Sequence, residues 1–117
     1  MLIQAARAVN RGYYRRAVID YATAAEACLS RMVQNSPDAK KPGDRSNLHG
    51  WSNWLASHES DRYTKDPDFD EFVDLRNAAA HRGIEPSSDQ IRTAAKCAHR
   101  IVKAHGVPQN TPEPLAN

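Results

Sequence analysis

The 117-residue sequence is poor in thiols, glycine and aromatic rings: two cysteines, five glycines, and 7% Phe, Trp and Tyr together. Cys28 and Cys97 form no CxxC pair and stand at no zinc-ligand spacing from a histidine, so neither a disulfide framework nor a zinc site is expected. Both read as small buried hydrophobes. No apolar run approaches the roughly 20 residues that span a bilayer, so no membrane partner is expected. The first ten residues interrupt their apolar character with Gln4, Arg7 and Asn10 and lack the clean hydrophobic stretch of a secretion signal. The expected location is the cytoplasm. GxxxxGK[ST] and GxGxxG are also absent, which removes the loops that cradle a nucleotide phosphate; no cofactor is expected. A large excess of one charge is missing as well. Lys+Arg 16 against Asp+Glu 14 leave a net charge of +2, which excludes a polybasic nucleic-acid coat and leaves room for a local basic patch.

What the chain has in quantity is alanine, 18 of them, with few contiguous β-branched residues and no apolar stretch of period two. This composition and patterning predict an all-α protein. Tyr14, Val18, Tyr21, Ala25, Cys28 and Met32 recur at spacings of four and three, with Ala17, Ala24 and Leu29 widening the stripe, and predict a long helix over 13–33. Residues 1–10 are also helix-prone, and Arg11-Gly12 marks a kink or break between the two segments. Pro37, Pro42 and Gly43 predict a polar connection over 36–44. Ser46 or Asn47 can cap a short helix carrying Leu48, Trp51, Trp54 and Leu55. Asp66-Pro67 predicts the start of the next helix, which runs to about Arg82, where Gly83 can close it. Ser87-Ser88-Asp89-Gln90 fits a capping box, after which Ile91, Ala95, Ala98 and Val102 form the expected inward seam up to Gly106 and Pro108. The expected organisation is one helical domain over 1–106, an up-down bundle of four to five helices, and a Pro-rich tail or linker over 107–117.

Metal motifs fail on inspection. His58-Glu59-Ser60-Asp61-Arg62 has arginine where HExxH needs its second histidine. Asp66, Asp68 and Asp70 imitate the opening of a calcium loop, but Glu71 stands where the turn needs glycine and Asn77 where a bidentate carboxylate belongs. The acidic residues are better explained as complements to a positive helix end.

The segment from Asp74 to Gly83 concentrates polar chemistry on an alanine-rich turn. Asn77 and His81 are four apart and share a helix face, while Arg76 is five from His81 and roughly 140° away around the helix. Ala78, Ala79 and Ala80 leave room for a second backbone or a bulky ligand to approach. A guanidinium can hold a phosphate through two donors, and an imidazole can move a proton near neutral pH. The pair suits phosphoryl-transfer chemistry without a metal. Arg and His near a helix C-terminus are also ordinary complements to the helix dipole.

Arg76-Asn77-x-x-x-His81 resembles the R-x4-6-H motif of HEPN domains, including a polar residue directly after the arginine. The resemblance extends over about residues 12 to 106: a long first helix with Ala17-Val18-Ile19 and Ala24-Ala25-Glu26-Ala27, an intervening helix, the motif helix ending in His81-Arg82-Gly83, and a closing helix begun by Pro86-Ser87. It implies a homodimeric, metal-independent endoribonuclease in which two motif helices meet across the dimer and each protomer contributes its Arg and His to one cleft. The ribose 2′-hydroxyl would attack the adjacent phosphate, leaving 2′,3′-cyclic phosphate and 5′-hydroxyl ends. On this chain the resemblance makes His81 the general acid/base, Arg76 the stabiliser of charge on phosphorus, and Asn77 the residue that orients His81 or the phosphate. Glu26 resembles an acidic residue some members place near the site; a solvated or structural glutamate is the alternative. Toxins of the family silenced by nucleotidyl transfer carry a tyrosine two residues after the histidine, where this chain has Gly83. The implied setting is a toxin or anti-phage effector, with an antitoxin or inhibitor as partner. A non-catalytic dimerisation or scaffold module and an RNA-binding adaptor are the alternatives.

Two basic stripes accompany the motif. Arg92, Lys96, Arg100 and Lys103 follow spacings of four, four and three; Arg7, Arg11 and Arg15 form a second stripe. Either can hold RNA phosphates or be a solvated helix face. Trp51 and Trp54 can stack unpaired bases, but the helical seam of Leu48, Trp51 and Leu55 predicts burial against the long helix.

Overall fold

A computed structural model describes residues 2–37 and 47–105. All regular structure among them is helical, in five segments: α1 (Leu2–Asn10), α2 (Tyr14–Gln34), α3 (Leu48–His58), α4 (Phe69–Arg82) and α5 (Ser88–His105). The expected tail over 107–117, Gly106, Pro108 and most of the expected 36–44 connection lie outside the described residues, as does Ser46.

The break at Arg11-Gly12 is a full helix ending. Gly12 adopts φ +78°, and its N–H donates to the Val9 carbonyl at 2.9 Å while the Tyr13 N–H donates to the Ala8 carbonyl at 2.8 Å. These two bonds satisfy carbonyls that a left-handed glycine typically collects at a helix end. The chain then turns into α2, which packs against each of the other four helices. Ala17, Ala22, Ala24 and Ala25 on α2 are buried together with Val18, Tyr21, Cys28, Leu29 and Val33. Small residues on so much of the circumference let several neighbours approach one rod. Tyr14 and Met32, placed on the expected stripe, sit at its ends and are half-buried.

Asn47 caps α3, its side-chain oxygen accepting from the Gly50 N–H at 3.0 Å. Leu48, Trp51 and Leu55 are buried as the seam predicts, while Trp54 is half-buried with its ring stacked on His58 at 4.4 Å. The capping box on α5 is complete: the Gln90 N–H donates to Ser87 Oγ at 3.1 Å, and the Ser87 N–H to Gln90 Oε1 at 2.9 Å. The α5 seam is rotated from its expected position. Ile91, Ala94, Cys97, Ala98 and Ile101 are buried, whereas Ala95 and Val102 are only half-buried. The Ile101 carbonyl meets Cys28 of α2, and one alanine carries too little apolar area to fix the rotation from the sequence. Both cysteines are buried and unbridged; burial pushes both thiols up from their usual range, and Cys28 Sγ donates to the Ile101 carbonyl at 3.7 Å. No helix among the described residues is long and apolar enough to cross a membrane.

Candidate functional site

The motif helix α4 begins two residues later than Asp66-Pro67 predicts. Asp66 does not cap its first turn; its Oδ1 accepts from the Asp68 N–H at 2.9 Å, closing a turn ahead of the helix. Its carboxylate also receives Arg100 Nε at 2.7 Å and Nη2 at 2.8 Å, and the same Nη2 donates to Asp68 Oδ2 at 2.7 Å. The guanidinium holds the Asp66 carboxyl below the usual carboxylate range. This fork fastens the start of α4 to α5. Phe69 and Phe72 then anchor the first turn, both with 0% exposure.

Phe72, Arg76 and Ala79 follow spacings of four and three, so Arg76 occupies a position on the inward stripe of α4 where an apolar residue would complete the seam. It is half-buried there. Its surroundings explain why an arginine is tolerated. With Asn77 and Val73 it lines a cleft of about 30 Å³ whose other walls are Glu26 of α2 and Asn47, Leu48 and His49 at the start of α3. Arg76 Nη1 donates to Asn77 Oδ1 at 3.2 Å, and Glu26 stays beyond ion-pair distance. The cleft has room for about one water-sized group between unlike charges.

Of the residues expected from the sequence, the fold therefore brings Glu26, Arg76 and Asn77 together. His81 is not part of that cleft. It is exposed on the last turn of α4, and the side-chain oxygen of Asn77 is taken by Arg76. Gly83 ends the helix at φ +65°; its N–H and that of Ile84 both converge on the Ala78 carbonyl. The Ala79 carbonyl is met from another helix: Arg15 Nε of α2 donates to it at 2.8 Å. Arg15 thus fixes the turn from which His81 projects. Two site residues were not expected from the sequence: His49, which faces Arg76 from α3 and shares a 3.0 Å contact between its Nε2 and Asn53 Nδ2, and Arg15 in its capping role. Each is separated from its partner by long stretches of chain, so no local spacing could reveal it.

The α5 stripe is exposed throughout, but its guanidiniums are engaged: Arg100 by Asp66 and Asp68, Arg92 by Asp89 at 3.1 Å. Among the described residues, Lys96 and Lys103 are its cations without a carboxylate partner. No group of three or more His, Cys, Asp or Glu among the described residues is arranged to hold a metal ion. Compared with protein-family models, curated proteins and solved structures, the chain gives no match.

Proposed function

We propose that the chain is a HEPN-type endoribonuclease that acts as a homodimer and cuts RNA without a metal. The observation that carries this reading is the shared cleft of Arg76, Asn77 and Glu26, with His81 one turn along the same helix on a free surface. A half-buried guanidinium beside an amide offers directed donors to a phosphate oxygen. Glu26 lines the opposite wall without an ion pair to Arg76, which leaves the guanidinium charge available to a phosphate.

In the proposed reaction the ribose 2′-oxygen forms a bond to phosphorus and the bond from phosphorus to the 5′-oxygen breaks. His81 takes the 2′-hydroxyl proton. The His81 of the second copy returns a proton to the departing 5′-oxygen, and Arg76 stabilises the charge that builds on the phosphoryl oxygens. The products are a 2′,3′-cyclic phosphate and a 5′-hydroxyl. Exposure of His81 suits this arrangement, because an imidazole buried within one protomer would be out of reach of a second. The proposed setting is a cytoplasmic toxin or anti-phage effector restrained by an antitoxin or inhibitor.

Incubation of the full chain with RNA in EDTA tests the reading. Cleavage with cyclic-phosphate ends is expected, and both Arg76→Ala and His81→Ala should reduce it by about 100-fold or more while sedimentation still reports a dimer. Unchanged cleavage in either variant would refute the assignment, and loss of association without loss of turnover would indicate a scaffold.

A further inference from the structure

A second cleft, larger than the one beside Arg76, lies elsewhere on α2. It measures about 510 Å³ and opens where α1 turns into α2, lined by Gly12, Tyr13, Arg15, Arg16, Ile19 and Glu85. Its size is that of a site for a small organic group. Tyr13 is 57% exposed, unusual for an aromatic residue without a partner, and Arg16 is also exposed, its contact with Asp20 no closer than 4.0 Å. Arg15 is held by its Nε on the Ala79 carbonyl, which leaves both terminal nitrogens of a fixed guanidinium free to donate. Ile19 supplies an apolar floor, and Glu85 a single acceptor on the wall contributed by the α4–α5 connection.

We propose that this cleft receives one nucleotide of a single-stranded RNA. The base stacks on Tyr13 over Ile19, the phosphate lies against Arg15 and Arg16, and Glu85 accepts from a ribose hydroxyl or an exocyclic amine. An exposed ring beside two guanidiniums is the combination that holds unpaired bases and their backbone. A simple anion would leave the ring and the apolar floor unused. Arg15 is also the residue that fixes the turn carrying His81, so a strand seated here passes the end of α4. The strand is thereby assigned to the junction of α1, α2 and the α4–α5 connection, with no required contact to Lys96 or Lys103. The inference rests on the proposed ribonuclease reading and names where its substrate lies.

The test uses the full chain and a fluorescent 2′-O-methyl oligonucleotide, which binds but has no free 2′-hydroxyl to react, read by anisotropy. Tyr13→Ala and Arg16→Ala should each weaken binding by roughly tenfold, and Tyr13→Phe should restore it. Arg31→Gln, which removes the same charge at the far end of α2, should leave it unchanged. Circular dichroism checks that each variant is folded. The proposal is overturned if the cleft variants bind like the parent, if neutralising Lys96 and Lys103 abolishes binding while the cleft variants do not, or if duplex RNA or a polyglutamate peptide competes as well as the single strand. Because the probe cannot be cleaved, loss of cleavage with cleft binding intact refutes the ribonuclease reading alone. Cleavage that persists while the cleft variants bind normally refutes this one alone.

Discussion

The two ends of α4 are built for different tasks. At its start, Phe69 and Phe72 are fully buried and Arg100 clasps Asp66 and Asp68 across to α5. At its end, three alanines replace the large side chains, Arg76 and His81 lie half-buried and exposed, and a single hydrogen bond from Arg15 ties the last turn to α2. Stability is concentrated where no chemistry is proposed. The proposed reactive groups sit where Ala78 and Ala79 are packed inside the protomer, Ala80 is half-buried and His81 and Arg82 are exposed. Substitutions at the two ends should therefore separate: the first should cost folding, the second turnover.

The largest expected effect on stability is at the start. Phe72→Ala should lower the unfolding free energy by about 3–5 kcal/mol, because a fully buried ring leaves a cavity that surrounding helices fill poorly. Urea unfolding followed by circular dichroism measures this; a loss under 1 kcal/mol would mean that the ring does not anchor α4. Gly83→Ala at the other end should cost about 1–2 kcal/mol, since an alanine there must hold a left-handed conformation. Beyond the two neighbouring residues, nothing lies within 4 Å of the added Cβ, so the cost comes from the local backbone. On the proposed ribonuclease reading, cleavage should fall further than the loss of folded protein accounts for if the closing turn positions His81.

The smallest effect comes from the fork. Arg100→Ala should cost about 1 kcal/mol near neutral pH, because Arg100 is partly exposed and solvent screens the pair. Its pH dependence is the sharper test. The folded-state pKa of Asp66 is lowered, so its contribution is present above the ordinary carboxylate range and lost as the pH falls through the lowered value. The gap in stability between the parent and Arg100→Ala should close as the pH is taken below about 4. A gap that persists unchanged in acid would assign the effect to lost packing by the arginine stem.

The same contrast marks what could be read from the sequence. Local signals were legible: the stripe of α2, the Ser87–Gln90 capping box, Asn47 as a cap and Gly83 as a stop each depend on residues within one or two turns. The rotation of α5 was not, since its seam is made largely of Ala94, Cys97 and Ala98, and small residues give almost no difference in apolar area between neighbouring faces. Asp66 was expected to cap α4 because its carboxylate precedes a proline. A stronger partner, Arg100, 34 residues away, takes that carboxylate instead. Arg76 and Asn77 were legible as a pair on one helix and Glu26 through the resemblance, but His49, which completes the cleft from α3, was brought there by packing.

The central claim is that two copies of the end of α4 meet in one groove. A spin label on Arg82→Cys tests this directly, since Cys28 and Cys97 are buried and the label goes to the exposed end of α4 beside His81. If two copies pair as proposed, dipolar spectroscopy should give one intermolecular distance shorter than the 23 Å smallest dimension of a protomer. A distance longer than the 42 Å greatest dimension, or none at concentrations where RNA is cut, would contradict the account.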